Sequence, residues 1–271
     1  MLPVENRDIQ ASTHIVGKEA VAEDRLNILE PLRANLVLVQ AGANYMTGLV
    51  GNVAIPVYSG SNVGWAGEIE AATNGARTFS EVVLEPKRIT AYIDISKQFL
   101  LQDSTSAEEM LKADIVRAIS NKLEATILGD AAGNTKQPAG LFNGATELAD
   151  TSYTSMVEMI QTLEEANVSG DIKYIVSPSA KAALKTTSKD NGSGRFVMEG
   201  NEIDGVPVLS TSACKGIVVG NFADYVIAQW GSIDLTVDPY SQATNGKVRL
   251  VVNAYFDAKP RREEAFVAKT V

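Results

Sequence analysis

From Ser106 to Gly129 the chain reads SAEEMLKADIVRAISNKLEATILG, and Leu111, Ile115, Ile119, Leu123 and Ile127 recur at intervals of four. That period predicts an α-helix with one apolar stripe, Ala107 and Ala118 lying close to it. Lys112, Asp114, Arg117, Asn121, Lys122 and Glu124 fall on the opposite face. This face is too polar for lipid, and the segment lacks the sustained heptads of a coiled coil. Ser106 with Glu109 fits a capping box, Glu108 and Glu109 suit the positive end of the helix dipole, and Gly129 suits a left-handed position past the last turn. About 22 residues rising about 1.5 Å each make a rod of about 33 Å, which predicts a spine laid across a sheet.

Elsewhere the period is two. VAIPV at Val53–Val57 predicts a short strand, and in Phe79–Ser96 the residues Ile89, Ala91, Ile93 and Ile95 oppose Arg88, Thr90, Asp94 and Ser96. Between them lies a stretch rich in glycine, serine and asparagine, so the two strands predict an extended hairpin with a long polar tip. A tip of that length without its own helix is generally functional or disordered. Trp65, Ile69 and Phe79 sit in or beside it, and two readings stand: contact with another chain, or packing back onto the same domain.

Residues 1–24 are polar and poorly periodic and predict an arm, followed by a helix over Glu19–Leu38 interrupted at Pro31. Gly129–Ala145 is a run of turn residues. Beyond it the pattern predicts a helix over Thr154–Asn167, a strand over Lys173–Ser177 and a short helix over Pro178–Lys185 with proline in its first turn. GVPVLST, GIVVGNF and YVIAQW read as short strands or strand-helix fragments, and 186–205 as a mobile loop. Strands close the chain at Ile233–Val237, Val248–Val252 and Phe266–Thr270. The class is mixed α+β without repeats.

The net charge is −9 and the pI about 4.8. Lys87-Arg88 and Lys259–Arg262 are the strongest basic clusters, too short for a nucleic-acid surface. The N-terminus lacks the basic and apolar regions of a signal peptide, and no stretch is apolar enough to span a membrane; the chain is expected in the cytosol. The single cysteine, Cys214, excludes an intrachain disulfide and reads as a small buried hydrophobe. Chemistry is scarce. Ser212-Ala-Cys-Lys215 matches Ser-x-x-Lys without its partner motifs, and His14, the only histidine, supports neither a catalytic triad nor a histidine-rich metal site. The pairs Glu68/Glu70, Glu108/Glu109, Glu164/Glu165 and Glu263/Glu264 read as solvated faces. Neither GxGxxG nor GxxxxGK[ST] occurs. No catalytic, cofactor or metal site is expected, and the protein reads as structural rather than an enzyme.

An arm, a projecting hairpin, a long spine helix and then ILGDAAGNTKQPAGLFN resemble the tailed-phage major capsid protein family, which has the Hong Kong 97 type of fold. Its glycine-rich segment after the spine helix is matched by Gly129, Asp130, Gly133, Gln137, Pro138, Gly140 and Leu141, followed in order by IVSPSAKAAL, GVPVLSTSACKGIVVGNFADYVI and EEAFVAKT. The likeness spans about residues 30–271.

The resemblance implies an α+β Hong Kong 97-like capsid fold. Its parts are an N-terminal arm and lead-in at 1–52, an E-loop hairpin at 53–86 and a peripheral domain at 87–149 with the spine helix at 106–128. An axial domain follows at 150–245, with axial loops at 186–205 or 241–246, and terminal strands at 246–271 return to the peripheral domain. It implies self-assembly as hexamers and pentamers into an icosahedral shell around double-stranded DNA held without sequence-specific contact. Scaffold, portal and decoration proteins are the further partners, membrane is not involved, and the place is the virion, assembled in the bacterial cytoplasm. Candidate inter-subunit contacts are Trp65, Glu68, Ile69, Glu70, Arg77 and Phe79. The acidic balance fits a lining that does not grip DNA.

Some members carry an N-terminal scaffolding segment removed by a protease. With Met1 at its start, this chain is expected either to use a separate scaffold or to represent the mature part. The tip from Tyr58 to Ala76 holds no lysine, so the covalent crosslinks of some members are not expected. The alternative is an encapsulin-type nanocompartment shell of the same fold, against which stands the lack of an amphipathic cargo-binding helix in the polar arm.

Overall fold

The computed structural model describes residues 36–58, 63–69, 71, 74–75, 79–98, 104–192 and 194–271, and for helix residues 104–109 and 112 it describes the backbone alone. The expected arm and most of the expected helix over Glu19–Leu38 therefore lie outside the described residues. The chain is traced from a five-residue helix, α1 (Val37–Ala41), into two sheets, one long helix and a separate hairpin.

The first sheet has the order β1 (Asn44–Leu49), β10 (Tyr225–Asp238), β11 (Lys247–Pro260), β4 (Lys87–Ser96). The second has the order β5 (Thr146–Glu147), β12 (Phe266–Thr270), β9 (Gly216–Asn221), β6 (Ile172–Val176), β8 (Val206–Ser210), β7 (Glu202–Ile203). β2 (Val53–Tyr58) and β3 (Phe79–Leu84) pair only with each other among the described residues. The helices are α2 (Ser104–Ile127), α3 (Tyr153–Glu165) and α4 (Pro178–Thr186). The mixed α+β class is thus as expected.

The two sheets divide the chain differently from the expected segments. YVIAQW and Ile233–Val237 form one 14-residue strand, β10, with an irregularity between Trp230 and Asp234, and it belongs to the first sheet. The last strand, β12, pairs with β9 in the second sheet and does not return to the first.

At 24 residues, α2 is about 36 Å long. Ile115, Ile119, Leu123 and Ile127 are buried as the period requires. They share one cluster with Ile227, Val252, Ala254 and Phe256 of the first sheet and with Ile175 and Val218 of the second. Tyr174, Val176, Ile217 and Val219 point to the other side of the second sheet, where Met156, Met159, Leu163, Ala180 and Leu184 of α3 and α4 cover them. Burial on both faces explains why β9 reads as one run without alternation.

Three details of α2 differ from the sequence reading. The helix starts at Ser104, so Ser106 falls inside its first turn, and the capping side chains lie outside the described residues. Ala118 is exposed, whereas Glu124, placed on the polar face, is buried. Its carboxylate accepts the N–H groups of Val37 and Leu38 and the Thr211 hydroxyl, so it caps the N-terminus of α1, whose own N-cap residue Leu36 has no capping side chain.

The third difference concerns Gly129, which does not take a left-handed conformation. The last turn of α2 is closed from the QPAGLF segment instead: Leu141 N–H donates to the Ile127 carbonyl at 2.7 Å and Phe142 N–H to the Gly129 carbonyl at 3.0 Å. A Cβ on Gly140 would lie 2.0 Å from the Gly129 oxygen. Only glycine lets the two backbones approach this closely.

The expected mobile loop at 186–205 is a folded excursion. Lys189 N–H donates to Arg195 O and Val197 N–H to Thr187 O, while Val197, Met198 and Ile203 are buried. Lys189 pairs with Asp204 at 3.3 Å and lies 4.1 Å from the centroid of the Tyr153 ring.

Candidate assembly surface

The β2–β3 hairpin keeps an uninterrupted antiparallel register from Val53↔Leu84 to Tyr58↔Phe79. Its base is packed: Leu84 joins Val226, Ala228 and Trp230 in a small core with Met46, Leu49, Val53 and Ile55. Its far end is open. Tyr58 and Phe79 meet edge to face with ring centroids 5.4 Å apart, and Phe79 is 69% exposed. Beyond them Val63, Trp65 and Ile69 are 86%, 104% and 99% exposed. Of the two readings left open for the tip aromatics, packing back onto the same domain is not what the structure shows. Glu68 is also exposed, while Glu70 and Arg77 lie outside the described residues.

The polar contacts at the hairpin base were not foreseen from the sequence. The Trp230 indole N–H donates to the Gly51 carbonyl at 2.6 Å, and Lys259 Nζ donates to the Val83 carbonyl at 2.6 Å. Asp257, fully buried, accepts the Glu85 N–H on Oδ2 at 3.0 Å. Its Oδ1 forms an ion pair with Lys87 Nζ at 2.7 Å and takes no directed hydrogen bond. The available signal was an aspartate breaking the apolar run of β11 (YFDA), with a lysine opening β4.

A second exposed patch lies on β4 and β11. Arg249 grips Asp94 with two bonds of 2.7 and 2.9 Å, and its guanidinium lies 4.4 Å from the centroid of the Tyr92 ring, which is 64% exposed. The hydrogen bond from Arg249 holds the Asp94 carboxyl below the usual range.

The sequence motifs that suggested chemistry remain apart from any site. Ser212 and Lys215 are exposed. Cys214 is buried, its thiol pushed up to about 11 by desolvation. Among the described residues no group of three or more His, Cys, Asp or Glu side chains could hold a metal, and no helix is long and apolar enough to cross a membrane.

The profile described as the phage capsid family matches residues 21–271. The major capsid protein of Halomonas phage phiHAP-1 is 29% identical over 246 residues, which cover 88% of this chain and 41% of that protein. The chain thus spans about two fifths of the length of that curated relative. Among solved structures, the capsid of a native GTA particle is similar at a TM-score of 0.70 and 15% identity, over 86% of this chain and 89% of that chain. A chain from Mycobacterium phage Adephagia gives a TM-score of 0.71 at 10% identity, over 87% of this chain and 89% of that one. One from Mycobacterium phage Bobi gives 0.69 at 14% identity, over 97% and 99%. At these identities the likeness is one of fold. The family profile covers nearly the whole sequence, and the chain belongs to the phage capsid family.

Proposed function

We propose that the chain is the major capsid protein of a tailed phage or prophage, a shell subunit that assembles with copies of itself as hexamers and pentamers around double-stranded DNA. The observation that carries this reading is the hairpin: it is fixed at its base and holds Val63, Trp65 and Ile69 in solvent, at a cost that association removes. In a Hong Kong 97-type arrangement Val53–Pro86 is the E-loop lying over a neighbouring subunit, with Trp65, Glu68, Ile69 and Phe79 among its contacts. The first sheet with α2 corresponds to the peripheral domain, and the second sheet with α3 and α4 to the axial domain. The net charge of −9 suits a container that does not bind its DNA tightly.

The test is negative-stain electron microscopy of the purified chain alongside light scattering. Closed shells or rings of subunits are expected. A monomer that persists at every concentration and salt condition, with and without co-expressed phage head proteins, would overturn the proposal.

A further inference from the structure

We infer that Asp257 is a positioning residue whose buried carboxylate sets the angle at which the β2–β3 hairpin leaves the body of the protein. Both legs of the hairpin are held by directed polar contacts from one face of β10 and β11. On that face Ala228 pairs with Asp257, Val226 with Lys259, and Trp230 with Tyr255. The leg that enters the hairpin is held at the Gly51 carbonyl by Trp230. The returning leg is held at the Val83 carbonyl by Lys259 and at the Glu85 N–H by Asp257. Asp257 also faces Lys87, so a single carboxylate accepts a hydrogen bond on one side of Pro86 and forms an ion pair on the other, where the chain turns from β3 into β4.

The small apolar core at the base does not define this angle alone. Apolar contact is nondirectional and tolerates sliding, whereas the hydrogen bond from the Glu85 N–H to the buried carboxylate is directional. Asp257 is wholly buried and the Lys87 side chain is 10% exposed. A pair this dry contributes little net stability compared with apolar residues of the same volume. Its presence is therefore better explained by geometry than by stabilisation.

The lever makes the angle matter. Six paired positions at about 3.4 Å extend the hairpin about 20 Å from its base, so a tilt of about 15° moves its end by roughly 5 Å, more than the tolerance of a packed interface. This consequence rests on the reading of the hairpin as an inter-subunit element; the role of Asp257 in fixing the angle does not.

The experiment measures the distance distribution between spin labels at Ser80→Cys on β3 and Lys122→Cys on α2, both exposed, in dilute unassembled protein, with Cys214 left buried. D257L/K87M replaces the pair by apolar side chains and leaves the Glu85 N–H without its acceptor, while D257N/K87M keeps an amide oxygen there. The distribution of D257L/K87M is expected to be at least twofold broader than wild type, and that of D257N/K87M to match wild type, with cooperative melting retained in both. D257A/K87M, which removes the same acceptor without the bulk of leucine, gives a second broadened case should D257L/K87M fail to fold. Wild-type mean and width in D257L/K87M, or in D257A/K87M if that alone folds, overturns the inference. Particle formation is scored separately on the same proteins. Shells from wild type with an unchanged distribution in D257L/K87M sink the positioning role and leave the capsid reading intact; broadening in a chain that never assembles does the reverse.

Discussion

Replacing Glu124 by alanine tests whether one buried carboxylate joins three parts of the chain. Glu124 sits on α2 and is 5% exposed; it accepts the N–H groups of Val37 and Leu38 and the hydroxyl of Thr211. Val37 and Thr211 lie equally far from it in sequence, 87 positions on either side. Truncation to alanine leaves two backbone donors at the start of α1 without partners, and a buried unpaired donor costs about 1–3 kcal/mol. The Thr211 hydroxyl can turn to another acceptor, and relief from burying a charge offsets about 1 kcal/mol. The net loss for Glu124→Ala is then about 3 kcal/mol. Glu124→Gln keeps an acceptor for the N–H groups and removes the charge, so its loss stays within about 1 kcal/mol. Urea unfolding of dispersed subunits, followed by circular dichroism at pH 7, reads both values from midpoints at constant slope. Equal losses in the two variants, or a loss below about 0.5 kcal/mol in Glu124→Ala, would refute the capping role.

The pH dependence gives the same experiment a sign. Burial raises the carboxyl of Glu124 above its ordinary 4.5 more strongly than its hydrogen bonds lower it. The folded state therefore holds this proton more tightly than the unfolded state does. Its contribution is fully present below the unfolded pKa of 4.5 and is lost as pH rises through the folded value. Asp94 and Asp204 are shifted downward and lose their contributions on acidification, the opposite direction. The informative quantity is thus the stability of wild type minus that of Glu124→Gln, which is expected to fall as pH rises above 4.5 and then level off. A difference that rises over that range would show the carboxylate to be favoured in the charged form.

Gly140→Ala places a methyl 2.0 Å from the Gly129 carbonyl, a backbone atom that cannot move aside. The expected loss is about 3 kcal/mol, a Tm lowered by roughly 5–10 °C in a chain of this size; an unchanged melt would mean that the QPAGLF segment does not close α2. Trp65→Ala removes a side chain that is fully exposed, so subunit stability is expected to change by less than about 0.5 kcal/mol while particle yield in electron microscopy collapses. Normal particles from that variant would remove Trp65 from the inter-subunit contacts.

What the sequence made legible follows from what a local period can carry. The stripe of Ile115, Ile119, Leu123 and Ile127 needs no knowledge of its partner, and the two strands flanking a glycine-rich stretch announce a hairpin whatever it touches. A period assigns each residue to a face; it does not say which polar residue on a face meets a donor from elsewhere. Glu124 was assigned to solvent by its charge, although its position lies beside the apolar stripe and its donors come from distant segments. The same holds for Asp257, whose partners Glu85 and Lys87 lie on the far side of the chain. The excursion at 186–205 has the glycine and serine of a loose loop, yet the burial of Val197, Met198 and Ile203 and the Lys189–Asp204 pair seat it.

The hairpin combines both cases. Its strands were legible and its collar was not, because Trp230, Asp257 and Lys259 act through main-chain groups of Gly51, Val83 and Glu85, which any residue would supply. Its tip was legible in composition but not in outcome, since exposed and self-packed aromatics have the same sequence. The structure separates them: the base is fixed by the chain itself, and Trp65 and Ile69 are exposed, with none of the described residues covering them. An element defined at one end by its own subunit and left open at the other transmits the geometry of that subunit to whatever covers it. On the proposed reading of the hairpin as an inter-subunit element, the angle at its base bears on how neighbouring copies meet, and the hydrogen bond from the Glu85 N–H to Asp257 holds that angle in a way the apolar core alone does not.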